Sequence, residues 1–123
     1  MSYEPREFLR HILAEAEYLV GVSDGSTRAH LESDPTLQRA VVRSLEIIGE
    51  ATKRVSAETR ASHPQVEWRS MARMRDRLIH DYFGVDLDIV WDVLQTKIPA
   101  LREQIRRILE SDGTADPRGD GRR

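Results

Sequence analysis

The chain contains no cysteine, which excludes a disulfide framework, a thiolate metal site and a cysteine nucleophile. No stretch comes near the roughly 20 consecutive apolar residues of a membrane-spanning helix. The opening Met-Ser-Tyr-Glu-Pro-Arg-Glu is charged where a signal peptide is apolar. The expected setting is therefore the cytoplasm, with no membrane partner. Lysine is almost missing, since only Lys53 and Lys97 stand among the 19 basic residues and the rest are arginine. A GC-rich genome and phosphate recognition both produce such a bias. Positive charge is not in surplus either: the net charge of −2 argues against a protein that coats nucleic acid, while leaving room for a local basic groove.

Several site types are absent as motifs. There is no Gly-rich phosphate loop, no GxSxG elbow and no paired-histidine metal spacing. His11, His30 and His63 are scattered, which fits surface or loop positions better than metal ligation. Glu46 and Glu50 lie four apart and share a helix face. Without a Glu-x-x-His on another helix, ion pairing with Arg43 or Arg54 is the better reading than a di-metal site.

What is present is helical periodicity. A chain of 123 residues, 33% charged and 39% hydrophobic, makes one domain with one core. Pro5 suits a first helical position, and Phe8, Leu9, Ile12, Leu13, Ala16, Leu19 and Val20 follow as one buried face. Gly21 to Gly25 ends that helix, and a short turn is expected around Arg28 to Leu31. Asp34 as cap with Pro35 behind it starts a second long helix, whose inner face runs Leu37, Ala40, Val41, Ser44, Leu45, Ile48, Ala51, Thr52, Val55. A short piece at Ser56 to Arg60 leads to a third helix, expected from Trp68 to about Tyr82 or Phe83 and closed by Gly84. Asp86 caps a fourth, carried by Ile89, Val90, Val93, Leu94, Ile98, Leu101, Ile105 and Ile108. Pro99 predicts a kink or break at residues 95 to 99. The expected fold is all-α, a bundle of four main helices over residues 1–110, with 111–123 a disordered tail.

The segment Trp68-Arg-Ser-Met-Ala-Arg-Met-Arg-Asp-Arg-Leu-Ile-His-Asp-Tyr82 concentrates four arginines in an acidic protein. From Glu67 to His80 they stand against Glu67 and Asp76, a local charge of +2. On one continuous helix Trp68, Met71, Met74, Leu78, Ile79 and Tyr82 fall on one side. Arg69, Arg73, Asp76 and Arg77 fall on the other. Arg75 falls inside the apolar sector, so it must pair with an acid such as Glu46 or Glu50, snorkel, or face an interface. His80 lies about 140° from Arg75 on that helix. The two converge only through a distorted helix end near Gly84 or across a dimer. An Arg, a His and a Tyr suit metal-free RNA cleavage: the imidazole moves a proton at the 2′-hydroxyl or the leaving oxygen, and the guanidinium stabilises phosphorane charge. The apolar Trp68, Met71, Met74 and Tyr82 also exceed what the bundle needs internally, which supports a dimer face.

Arg75-x-x-x-x-His80-x-Tyr82 resembles the R-x4-H-x-Y motif of HepT-like toxins in the HEPN superfamily of ribonucleases. Arg43-Ser-Leu-Glu-Ile-Ile-Gly-Glu-Ala51 resembles that family's second-helix signature. Trp68-Arg-Ser-Met-Ala and Met74 through Asp86 resemble its active-site helix and turn, and Val90-Trp-Asp-Val-Leu with Ile98-Pro-Ala-Leu its last helix. The likeness spans roughly residues 4 to 109. It implies a homodimeric all-α bundle that acts as the metal-independent endoribonuclease of a type VII toxin–antitoxin system, cutting tRNA or mRNA without a cofactor. It implies Arg75 and His80 as catalytic residues, Asp76 as support, and Tyr82 as the tyrosine that an MntA-like nucleotidyltransferase antitoxin modifies with AMP. Arg73 and Arg77 are expected to touch RNA phosphate. The alternative is a silent HEPN module that binds the nucleotidyltransferase without cleaving RNA.

Overall fold

The computed structural model describes residues 5–81 and 84–114; for Pro5, 79–81, 84–85 and 112–114 the backbone path alone is described. Among the described residues, eight α-helices and two short strands follow in order. They are α1 (Pro5–Asp24), α2 (Arg28–Ser33), α3 (Pro35–Lys53), α4 (Ala57–Ser62), α5 (Trp68–Ala72), α6 (Met74–Leu78), β1 (Ile79–Asp81), β2 (Gly84–Val85), α7 (Leu87–Asp92) and α8 (Ile98–Thr114). A π-helical turn, Val93–Lys97, joins α7 to α8. Among the described residues no helix is long and apolar enough to cross a membrane.

The long helices stand where periodicity and caps put them. Asp34 accepts from the Leu37 amide at 3.1 Å with Pro35 in the first turn, satisfying a donor that the helix itself leaves open. Ser56 caps α4 and Asp86 caps α7 in the same way. Helix α1 packs along α3 and α8, while α3 also carries α5 and α6 on a neighbouring face. Leu9, Ile12, Ala16 and Leu19 of α1 meet Val41, Leu45 and Ile48 of α3 and Leu101, Ile105 and Ile108 of α8 in one core. Buried Ser44 donates to Glu15 at 2.7 Å, a polar clasp between α1 and α3. Arg28 grips Asp88 with Nε at 3.0 Å, tying α2 to α7. That carboxylate raises the Arg28 pKa further.

Pro99 acts as expected in place and differently in kind. The helix widens instead of breaking: the Ile98 amide reaches back five residues to the Val93 carbonyl. Proline removes the amide that would bond four residues back, and its ring crowds the same carbonyl. A π-turn moves that carbonyl aside and keeps the helix continuous.

Three expectations are corrected. The third helix does not run to Tyr82 or Phe83: it is interrupted at Arg73 and ends at Leu78, where β1 begins. The pairing of β1 with β2 supplies backbone partners that a continuing helix would have supplied. Trp68, Met71 and Met74 are not a surplus apolar face, because all three are buried inside the single chain. They fill the space between α3, α5 and α6, so the reasoning toward a dimer from that surface falls away. The last helix continues to Thr114, beyond the boundary expected at residue 110, and residues 115–123 lie outside the described residues.

Gly49 sets how closely α5 approaches α3. A Cβ there would sit 3.3 Å from the Met71 carbonyl oxygen and 3.6 Å from that of Ala72. Gly49→Ala trades that contact against the roughly 1 kcal/mol that alanine gains over glycine in a helix, and leaves stability nearly unchanged. Gly49→Val forces the helices apart and lowers stability by about 1–3 kcal/mol, read as a fall of several degrees in Tm by thermal denaturation.

Candidate active site

Helix α6 is built on two buried side chains, Met74 and Leu78. Measured from Met74, Leu78 stands about 40° round and Arg75 about 100°, while Arg73 and Arg77 stand about 100° and 60° the other way. The arginines therefore divide between two flanks. Arg75 takes the flank toward α3, with its Nε 3.5 Å from Glu46. It is a surface residue, two-thirds exposed at its side chain, and not one enclosed in an apolar sector. The sector drawn through Ile79 and Tyr82 assumed helix where the chain has already left it. Glu46 also meets Arg43 at 3.8 Å, so one carboxylate stands between two guanidiniums.

Arg73 and Arg77 take the other flank, both exposed. They line an open groove of about 630 Å³ with Val66, Trp68, Arg69 and Ser70. The Arg77 guanidinium donates to the Ser70 hydroxyl at 3.3 Å. Arg69 and Ser70 were not foreseen as part of a site. The four-residue recurrence of Arg69, Arg73 and Arg77 was the available signal.

His80 lies in β1, immediately after α6. The antiparallel register pairs Ile79 with Val85 and Asp81 with Gly84, a shift that leaves His80 as the extra residue on its strand. Such an interruption bends a strand and resets the direction of the residue it carries, and it recurs beside active sites. The angle of 140° between Arg75 and His80 therefore no longer applies. Of the two routes to convergence, the helix end is indeed distorted, six residues before Gly84. The same departure removes the helical neighbourhood through which Asp76 would have oriented His80. The Leu78 carbonyl accepts from the Asp86 amide at 3.1 Å, closing the loop at its base. Tyr82 lies outside the described residues.

The other candidates behave as ordinary surface groups. Glu50 pairs with Lys53 at 3.3 Å, where Arg54 was the expected type of partner. His30 approaches Asp34 at 3.5 Å, His11 packs edge-on to Phe8, and the His63 carbonyl accepts from Trp68 Nε1. Among the described residues no three His, Asp or Glu side chains are grouped as a metal ion requires.

Comparison with known proteins places this arrangement. A family model described as ribonuclease HepT-like matches residues 11–108. A protein of Caldanaerobacter subterraneus subsp. tengcongensis named a putative RNase is 46% identical over 108 residues, covering 88% of this chain and 96% of its own. A second protein of that description, from Methanocaldococcus jannaschii, is 39% identical over 85% of this chain and 87% of its own. A protein of Thermococcus cleftensis named probable ribonuclease HepT is 47% identical over 75 residues, 61% of this chain and 68% of its own. No solved structure matches. The matched span runs from within α1 to near the end of α8 and takes in both flanks of α6 and the bulged strand, so this chain belongs to the HepT-like ribonuclease family of the HEPN superfamily.

Proposed function

We propose that this protein is the toxin of a type VII toxin–antitoxin pair, a metal-independent endoribonuclease that cuts tRNA or mRNA. The observation that carries the reading is the turn itself. Arg75 stands exposed in the short helix α6, and His80 follows in β1, where the strand register shifts. Within a ribonuclease family, an exposed cation followed five residues later by an acid–base group is the pair that metal-free RNA cleavage requires.

The 2′-hydroxyl oxygen attacks the adjacent phosphorus as its proton passes to an imidazole of His80. The bond from phosphorus to the 5′-oxygen breaks, and that oxygen takes a proton. A 2′,3′-cyclic phosphate and a 5′-hydroxyl result, with no metal in the step. Arg75 stabilises the extra negative charge on the phosphorane, and it gives up only one exposed 3.5 Å contact with Glu46 to do so. An exposed pair of that kind is worth about 0.2–1 kcal/mol, which a phosphate readily replaces. A homodimer brings a second Arg75 and His80 to the cleft, so one imidazole accepts a proton while the other donates.

Regulation falls on Tyr82. An MntA-like nucleotidyltransferase transfers AMP from ATP to its hydroxyl and releases pyrophosphate. The added phosphate carries negative charge to the place where substrate phosphate binds. The protein needs no cofactor of its own.

Incubating the purified protein with labelled tRNA and mRNA in EDTA tests the reaction. Wild type cleaves in the chelator. His80→Ala loses about 10²–10⁴-fold in kcat, and Arg75→Ala about 10²–10³-fold. Equal cleavage by His80→Ala refutes the assignment. Tyr82→Phe keeps cleavage and toxicity but takes up no AMP from ATP when the transferase is present, as read by intact-protein mass. Transfer to Tyr82 without cleavage by any preparation would instead establish the silent binding module.

A further inference from the structure

We infer that Arg69, Arg73 and Arg77 form a track for the phosphates of single-stranded RNA, separate from the Arg75 flank and serving nucleotides beside the cut. The inference rests on the ribonuclease reading and adds to it a binding surface that the motif does not contain.

The backbone holds these three arginines in line despite the interruption at Arg73. The Arg73 amide still bonds the Arg69 carbonyl at 3.1 Å, and the Arg77 amide bonds that of Arg73 at 3.1 Å. Successive arginines are therefore about 6 Å apart along the axis, a step close to the separation of neighbouring phosphates in an extended strand. All three are exposed and line the same groove. None of them forms an ion pair with an acid among the described residues. The acid that does line the groove, Glu67, is engaged by Lys97 of the π-turn at 3.3 Å. Three guanidiniums are thus open to an anion, and the acid that lines their groove is already matched.

The groove floor suits a nucleic-acid strand. Val66 and the edge of Trp68 are apolar and buried, and the Trp68 indole N–H is spent on the His63 carbonyl at 2.9 Å. The polar groups that remain are the arginines and Ser70, whose hydroxyl steadies Arg77 at 3.3 Å. Phosphates at the rim and ribose or base against the floor satisfy both chemistries. Because the track and Arg75 flank opposite sides of a helix about 10 Å across, a strand in the groove passes α6 some two nucleotides from the phosphate at Arg75.

The test is salt-dependent binding. A fluorescent single-stranded 12-mer with 2′-O-methyl riboses cannot be cut, so its anisotropy titration reports binding whether or not the protein is a nuclease. Each phosphate contact to a single strand contributes about 0.7 to the slope of log affinity against log salt. The triple variant Arg69→Gln, Arg73→Gln, Arg77→Gln should lower that slope by about 2 and weaken binding at least tenfold in low salt. A control neutralising three exposed arginines elsewhere, Arg10→Gln, Arg39→Gln and Arg107→Gln, should change the slope by less than half as much. With cleavable RNA, the triple variant should raise KM for the 12-mer tenfold or more, and raise it far less for a dinucleotide too short to reach the track. Far-ultraviolet circular dichroism confirms that both variants fold. An unchanged slope overturns the track, and so does an equal loss in the control, which would mean bulk charge alone. Loss of binding to the nucleotidyltransferase with RNA binding intact also overturns it, because the surface then serves an acidic protein. Absence of cleavage by wild type with the slope change present refutes the nuclease reading and leaves the track standing.

Discussion

Met74 and Leu78 fix the orientation of a helix only five residues long, and the chemistry of the chain depends on that anchorage. So short a helix has almost no stability of its own. With both side chains fully buried against the rest of the core, α6 cannot roll, and its polar residues are committed to particular directions. Arg75 faces α3, and Arg73 and Arg77 face the groove. A rotation of even one residue's angle would exchange the flanks and place a guanidinium where the core now closes. Precision on the surface here is inherited from packing underneath.

That packing extends through Gly49, whose missing side chain lets the α5 backbone lie against α3. The same α3 supplies Glu46 to Arg75. One helix therefore supports the candidate site from below and also presents a carboxylate to its principal cation. The negative net charge of the chain is compatible with RNA chemistry for a related reason. Acids are spent locally: Glu46 on Arg43 and Arg75, Glu50 on Lys53, Glu67 on Lys97, and Glu103 on Arg106 and Arg107. The two arginines hold the Glu103 carboxyl below its ordinary pKa.

Much of this was legible in sequence. The inner faces of α1, α3 and α8 follow the helical period with few exceptions, and Asp34 with Pro35 marks a helix start unambiguously. Family membership was legible as well, because it spreads over several helices. The end of α6 was not. Arg-Asp-Arg-Leu-Ile-His-Asp-Tyr reads as helix to a local rule, and what ends it is pairing of β1 with Gly84 and Val85, a strand partner to which helix propensity is blind. The error then spread to everything drawn on the wheel: the supposed enclosure of Arg75, its angle to His80 and the route from Asp76. The role of Trp68, Met71 and Met74 was misjudged for another reason. Counting apolar residues on one helix cannot reveal how much of its neighbours' surface awaits them.

The π-turn bears on how chains of this kind are compared. Val90, Leu94 and Ile98 are spaced by four and then four again, and all are buried. On a regular α-helix each such step overshoots a full turn by about 40°, so two in succession swing the seam by about 80°, toward the edge of a buried stripe. The wider turn absorbs the excess, and Leu101, Ile105 and Ile108 resume on the same side. The turn therefore stores one residue without disturbing either flanking helix. A relative one residue shorter between positions 94 and 98 would form an unbroken α-helix with the same buried seam. A single gap at that point in an alignment then marks a local change of helical pitch and leaves the architecture intact.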